Sequence, residues 1–180
     1  MNTFPQAFTY IDEVFYEPNQ LTVKEIQEEI QNSEYGSAVF QLNCTSVRFR
    51  VAKITPTKIG QFVAFWEKDA TNKNQAFSVE NAPDLLVINT FSHDQQSLGQ
   101  FVFPKEVLVK HNILKTATTK GKMAMRVYPS WDAPTSKQAI ATQKWQLPYF
   151  VVVDPHNYEN AQTLLRLYAI KSTPHQAKDD

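Results

Sequence analysis

Apolar and polar positions alternate most regularly from Val47 to Trp66, VRFRVAKITPTKIGQFVAFW, which reads as strand, tight polar link and strand. Val47, Phe49 and Val51 fall on one face of the first strand, Arg48 and Arg50 on the other. Lys53 continues the apolar face where that strand stops. Thr55-Pro56-Thr57-Lys58-Ile59-Gly60 then turns the chain, and Gln61 to Trp66 returns it. Ala38 to Leu42 precedes them as an adjacent strand joined through Asn43-Cys44-Thr45-Ser46. Connections this short predict a three-strand antiparallel meander.

Downstream, Leu85 to Phe91 is almost continuously apolar, the pattern of a strand buried on both faces, and Gly99 to Phe103 follows as a fifth strand. Pro104 opens a short helix, Lys105 to Lys110. Met123 to Tyr128 reads as a short strand, Asp132-Ala133-Pro134 as the start of a helix ending near Gln146, and Tyr149 to Val153 as a strand. Asn157 to Ile170 has the spacing of an amphipathic helix. Upstream, Ala7 to Tyr16 is a helix stopped by Pro18. Leu21 to about Gln31 is expected to form a second helix, with Thr22 and Glu25 spaced as a capping box. These elements predict a single α/β (α+β) domain over residues 1–180, with a helical N-terminal region (residues 1–33), a sheet core (residues 37–128) and C-terminal helices (residues 133–170). The sheet is expected to be mixed, largely antiparallel and flanked by helices.

A chain of 180 residues with 42% hydrophobic content can bury a sizeable core, and no run approaches the length of a membrane helix. MNTFPQAFTYIDEVF carries two acids and no base, unlike a signal or transit peptide. The expected location is cytoplasmic, with no membrane partner and the oligomeric state left open. The one cysteine, Cys44, excludes an internal disulfide and a cysteine-rich zinc site. Net charge is zero but unevenly spread. Seven acids against Lys24 occupy residues 1–34, and eight bases against Glu106 and Asp132 occupy residues 104–144. No acid lies between Glu34 and Glu67, so Arg48, Arg50, Lys53 and Lys58 count as four uncompensated cations. That distribution suits a polyanion, DNA or RNA, or else is a solvated basic face.

Two clusters carry candidate phosphate chemistry. Thr55, Thr57, Lys58 and Gln61 belong to the turn flanked by Lys53, whose hydroxyls and backbone N–H groups near Gly60 suit one phosphate. The alternative is a well-made turn. Arg126, Tyr128, Trp131, Lys137 and Gln138 combine aromatics with cations, as surfaces that stack bases and hold phosphates do. An aromatic after Pro129 is more often core or a helix-start staple, the favoured reading for Trp131, and Trp66 and Trp145 read as core. The four histidines are scattered in sequence without metal spacing, so no metal site is assigned. Cys44 has no nameable activating histidine.

Three segments resemble the MepB family: FRVAK followed by ITPTKIGQFVAFW, then GQFVFPKEVL, then RVYPSWD with SKQAIATQKWQ. The resemblance spans about residues 34 to 147. It implies a restriction-endonuclease-like α/β core, a scaffold also used by tRNA-splicing and Holliday-junction nucleases, more than it implies an activity. A nuclease of that fold sets a strand-end carboxylate against a Glu-x-Lys on the next strand, so that the acids hold Mg²⁺ beside the phosphate. Here Val51-Ala52-Lys53 and Phe103-Pro104-Lys105 keep a lysine without the acid. Glu34 and Asp84 are the substitutes to consider, with Lys53 beside the attacking water; Mg²⁺ enters only on that reading.

The leading expectation is a nucleic-acid-binding domain with a degenerate nuclease-like site. Arg48, Arg50, Lys53 and Lys58, with Lys105, Arg126 and Lys137, would contact phosphates. The rival is a metal-dependent phosphodiesterase, which requires Glu34 and Asp84 within a few ångströms of Lys53. A third possibility is a module for a small anionic ligand or a protein partner, favoured by a closed pocket.

Overall fold

The computed structural model describes residues 3–168. Helix α1, Phe4–Ile11, widens into a π-type turn at Asp12–Tyr16 and tightens into a 3-10 turn at Glu17–Asn19. Phe4, Ala7, Ile11 and Phe15 make its buried stripe, and Pro18 prevents its continuation.

The expected second helix is instead strand β1, Val23–Glu28, antiparallel to β2, Ala38–Leu42. The pattern misled for a physical reason. β1 is the outer strand of its sheet, and Lys24 to Glu28 are exposed, so no inward–outward alternation is written into it. A bulge between Lys24 and Gln27, with Glu25 at φ 56°, breaks what periodicity is left. Thr22 is no helix cap; its N–H donates to Asn43 Oδ1 at 2.9 Å.

The remaining strands are β3 (Thr45–Val51), β4 (Lys53–Ile54), β5 (Gln61–Ala64), β6 (Trp66–Lys68), β7 (Asn74–Ala76), β8 (Leu85–Phe91), β9 (Leu98–Pro104), β10 (Ala124–Val127) and β11 (Phe150–Val153). Six form one mixed sheet in the order β1-β2-β3-β8-β9-β11, antiparallel except for the parallel pair β3–β8. Three others form a second sheet, β10-β5-β4. The expected meander therefore holds for β2 and β3 but not for the third strand. β8 takes the place beside β3, while the turn at Thr55–Gly60 swings β5 out of the main sheet. Two buried polar contacts fix that exit: Ala52 N–H donates to Asn89 O, and Gln61 Nε2 donates to Phe91 O at 2.8 Å.

Helix α2 is Lys105–Lys110 and α4 is Tyr158–Leu167, close to expectation, though Ile170 lies outside the described residues. α3, Lys137–Gln146, starts later than Asp132–Pro134 because Ser136 is the residue that caps it, its Oγ accepting from Ala139 N–H. No helix among the described residues is long and apolar enough to cross a membrane.

One core lies between α1, α4 and the large sheet, around Ile11, Phe15, Phe49, Val87 and Leu164. The other lies between the opposite face of that sheet, the small sheet and α2, around Val63, Phe65, Ile88, Phe103 and Leu108. β8 is consequently buried along its whole length, as its sequence predicts. A polar chain crosses the sheet. Asn89 donates to Arg50 O, Gln100 to Asn89 Oδ1 at 2.7 Å, and Tyr168 to Gln100 Oε1 at 2.7 Å. Since Tyr168 spends its only proton on Gln100, Tyr16 donates the 2.9 Å bond between the two phenols. Burial raises both phenol pKa values, which keeps them protonated donors.

Candidate functional site

The central basic stretch is partly compensated in the fold, contrary to its appearance in sequence: three of its four cations share two carboxylates. Glu29, just beyond β1, binds Arg48 Nε at 3.3 Å and also Arg50 Nη1. Arg50 is fully buried, donates to Ala64 O and Phe49 O, and has its pKa pushed down to about 10 by that burial. Arg48 lies flat on Phe77 with its guanidinium carbon 3.4 Å from the ring centre. Both arginines hold the sheet to the layer above it, and Arg50 is out of a ligand's reach. Lys53 pairs with Glu34 at 2.9 Å and sits over the Tyr35 ring.

Asp84 is elsewhere. It accepts from Ser46 N–H and Ser46 Oγ at the start of β3, where Val47 faces Leu85. Lys53 is seven residues further along the same direction, about 20 Å away at strand spacing. Glu34 and Lys53 thus occupy one end of the parallel pair, and Asp84 the other with Lys105, whose N–H donates to Asp84 O. A Mg²⁺ site of the nuclease kind does not fit these donors, and no group of three His, Cys, Asp or Glu converges among the described residues.

The second cluster does assemble. Arg126, on β10, donates from Nη2 to Thr55 Oγ1 at 2.9 Å and from Nη1 to Gly60 O at 3.2 Å, pinning the Thr55–Gly60 turn to the small sheet. Gly60 has φ 83°, and a Cβ there would meet the Tyr128 ring at 2.6 Å, so the turn requires glycine. Thr57 and Lys58 are exposed on this turn, whereas Gln61 is buried and structural.

Beside Arg126 lies an open groove of about 360 Å³ between β10, α3 and the segment from His111 to Lys122. Its polar lining includes His111, Lys122, Arg126, Ser136, Gln138 and Thr142, and no acid contributes to it among the described residues. Two glutamines set its width. Gln146, fully buried, accepts from Tyr128 N–H and donates to Arg126 O, both at 2.9 Å. Gln143 donates to Asp132 O at 2.8 Å and Pro129 O at 3.1 Å. Together they lay α3 across β10 by binding backbone that lacks a strand partner.

Of the residues singled out in sequence, Arg126, Tyr128 and Gln138 line the groove, and Thr55 is bound to it through Arg126. Lys137 is exposed at the start of α3, and Trp131 packs edge-on against Phe150 instead. Trp145, expected in the core, is partly buried and forms a groove wall with its indole stacked on His111. His111, Lys122, Ser136, Thr142, Gln143 and Gln146 were not foreseen. The available signal was the one-face spacing of Gln138, Thr142 and Trp145 on α3. Desolvation, aided by Lys110 and Lys122, holds the His111 pKa below its ordinary value, which leaves a neutral imidazole at pH 7.

A family model described as MepB-like matches residues 29–152. A solved crystal structure of MepB is similar at 40% sequence identity and a TM-score of 0.73, covering 82% of this chain and 97% of that one. None of the curated proteins matches the chain.

Proposed function

The chain belongs to the MepB-like family, and from that premise we propose that it binds nucleic acid, with the phosphates held in the groove between β10 and α3. The observation that carries this reading is the sign of the groove: Lys122 and Arg126 line it, and among the described residues no carboxylate does. A phosphate placed there has two cations, Lys122 and Arg126, and the side-chain amide of Gln138 in the same lining, donors of the kind that position a sugar-phosphate backbone. The groove is open to solvent, so a bound phosphate need not be the end of a strand. Lys58 and Lys137, both exposed, are the cations available to flanking phosphates.

The binding reading is preferred over the phosphodiesterase because Asp84 and Lys53 sit at opposite ends of the β3–β8 pair. Arg48 and Arg50 drop out of the phosphate-contact set, since both are engaged by Glu29 and Arg50 is fully buried. Lys105 drops out as well, at the Asp84 end of the sheet.

Fluorescence anisotropy of labelled DNA and RNA against salt tests the proposal. Binding should weaken steeply with salt. Arg126→Ala and Lys122→Ala should each reduce the log–log slope by about 0.7–0.9, one phosphate contact apiece. Equal slopes in wild type and both variants would place the phosphates elsewhere. Saturable binding of a mononucleotide without gain from a longer strand would favour a small-ligand site, which the groove volume also accommodates.

A further inference from the structure

We infer that the groove selects single-stranded nucleic acid, one base of the strand lying against the imidazole of His111 where it stacks on Trp145. The inference rests on the nucleic-acid reading above and adds to it the form of the ligand. His111 terminates α2 and Trp145 lies in the last turn of α3, so two separate elements bring one ring each to the groove. Their centroids are 3.8 Å apart and their planes differ by 12°, a parallel stack. Behind it, the Trp145 ring packs on Phe103 at 5.5 Å, and Phe103 is fully buried. The imidazole is therefore a planar surface backed by the core. It is only partly covered by protein, and it lines the same groove as Lys122 and Arg126.

A π-face beside two cations is the combination that grips an unpaired base and its phosphate together. Bases in a duplex are already stacked on their neighbours and cannot lie flat on a side chain without being unpaired. Gln138, exposed on α3 with its side-chain amide unengaged among the described residues, offers one donor and one acceptor to the edge of such a base. With the His111 pKa lowered, the cationic charge of the groove rests with Lys122 and Arg126.

Three labelled probes of equal length, about 12 units to exceed one binding site, test this. They are an oligo-dA strand, the corresponding duplex, and an abasic deoxyribose-phosphate chain that keeps the charge and lacks the bases. The strand should bind wild-type protein about ten-fold or more tightly than the abasic chain. His111→Ala should remove that difference, and His111→Phe, which keeps a ring, should retain it. The wild-type ratio needs no variant and so survives a folding failure of His111→Ala. If strand, duplex and abasic chain bind alike with steep salt dependence, the nucleic-acid reading stands and this inference falls. A ratio unchanged in folded His111→Ala overturns it as well. No binding of any probe at low salt overturns both.

Discussion

Glu29 is the residue on which the charge balance of the large sheet turns, and Glu29→Gln isolates its contribution. The substitution keeps size, removes the one negative charge shared by Arg48 and Arg50, and turns one of the two accepting oxygens into an NH2 donor that cannot replace it. Breaking a buried ion pair by removing one partner typically costs about 3–5 kcal/mol, because the remaining charge stays desolvated. Here the lower end applies. Arg50 keeps two backbone acceptors, Ala64 O and Phe49 O, and Arg48 keeps its stack on Phe77. About 3 kcal/mol, divided by a urea m-value of about 2 kcal/mol/M, lowers the unfolding midpoint by about 1.5 M.

A double-mutant cycle with Arg50→Met then measures the pairing itself, and coupling of about 2 kcal/mol is expected. A loss below about 1 kcal/mol for Glu29→Gln, or additivity within about 0.5 kcal/mol, would refute the view that Glu29 holds a buried charge in place. The same variant bears on function. If Arg48 and Arg50 were phosphate ligands, removing their acid would tighten nucleic-acid binding; if they are structural, affinity stays within about two-fold. Anisotropy on the folded variant decides between the two.

Three further outcomes follow from the groove and its frame. Gln146→Leu leaves the Tyr128 N–H and the Arg126 carbonyl without partners, so urea unfolding should show a loss of about 2–4 kcal/mol. Gly60→Ala places a Cβ against the Tyr128 ring at φ 83°; it should cost about 1–2 kcal/mol or more and weaken anion binding by loosening the turn that Arg126 holds. His111 has a lowered pKa in the folded state, so between that value and 6.5 the unfolded chain binds more protons, and stability should fall as pH drops through this window. Urea midpoints at pH 8 and pH 5 should therefore differ less in His111→Phe than in wild type.

Where burial writes a pattern, the sequence could be read. Leu85–Phe91 announces a strand covered on both faces, and Lys105–Lys110 follows from its proline and its two buried apolar residues. β1 could not be read that way, since a charged outer strand with a bulge carries the same residue mix as a solvated helix face. The third meander strand failed for a topological reason. Sequence adjacency favours β5 beside β3, but that edge is taken by β8, whose apolar run comes more than twenty residues later.

The candidate site divides along the same line. Along the sequence, Arg48, Arg50 and Lys53 stand in a long stretch without acids, yet their partners Glu29 and Glu34 come from before that stretch, delivered by the β1–β2 connection folding back across β3. Charge counted along the chain therefore assigned the anion site to residues whose charge is spent internally. Arg126 and Gln138 were legible because aromatic and cationic residues lie close together in that segment. His111 and Lys122 were not, because they come from the start and end of a segment between α2 and β10 that has no regular periodicity. Net positive potential survives folding only where no distant acid returns to meet it. Among the described residues the β10–α3 groove meets that condition: its lining brings Lys122 and Arg126 together, and no carboxylate reaches it.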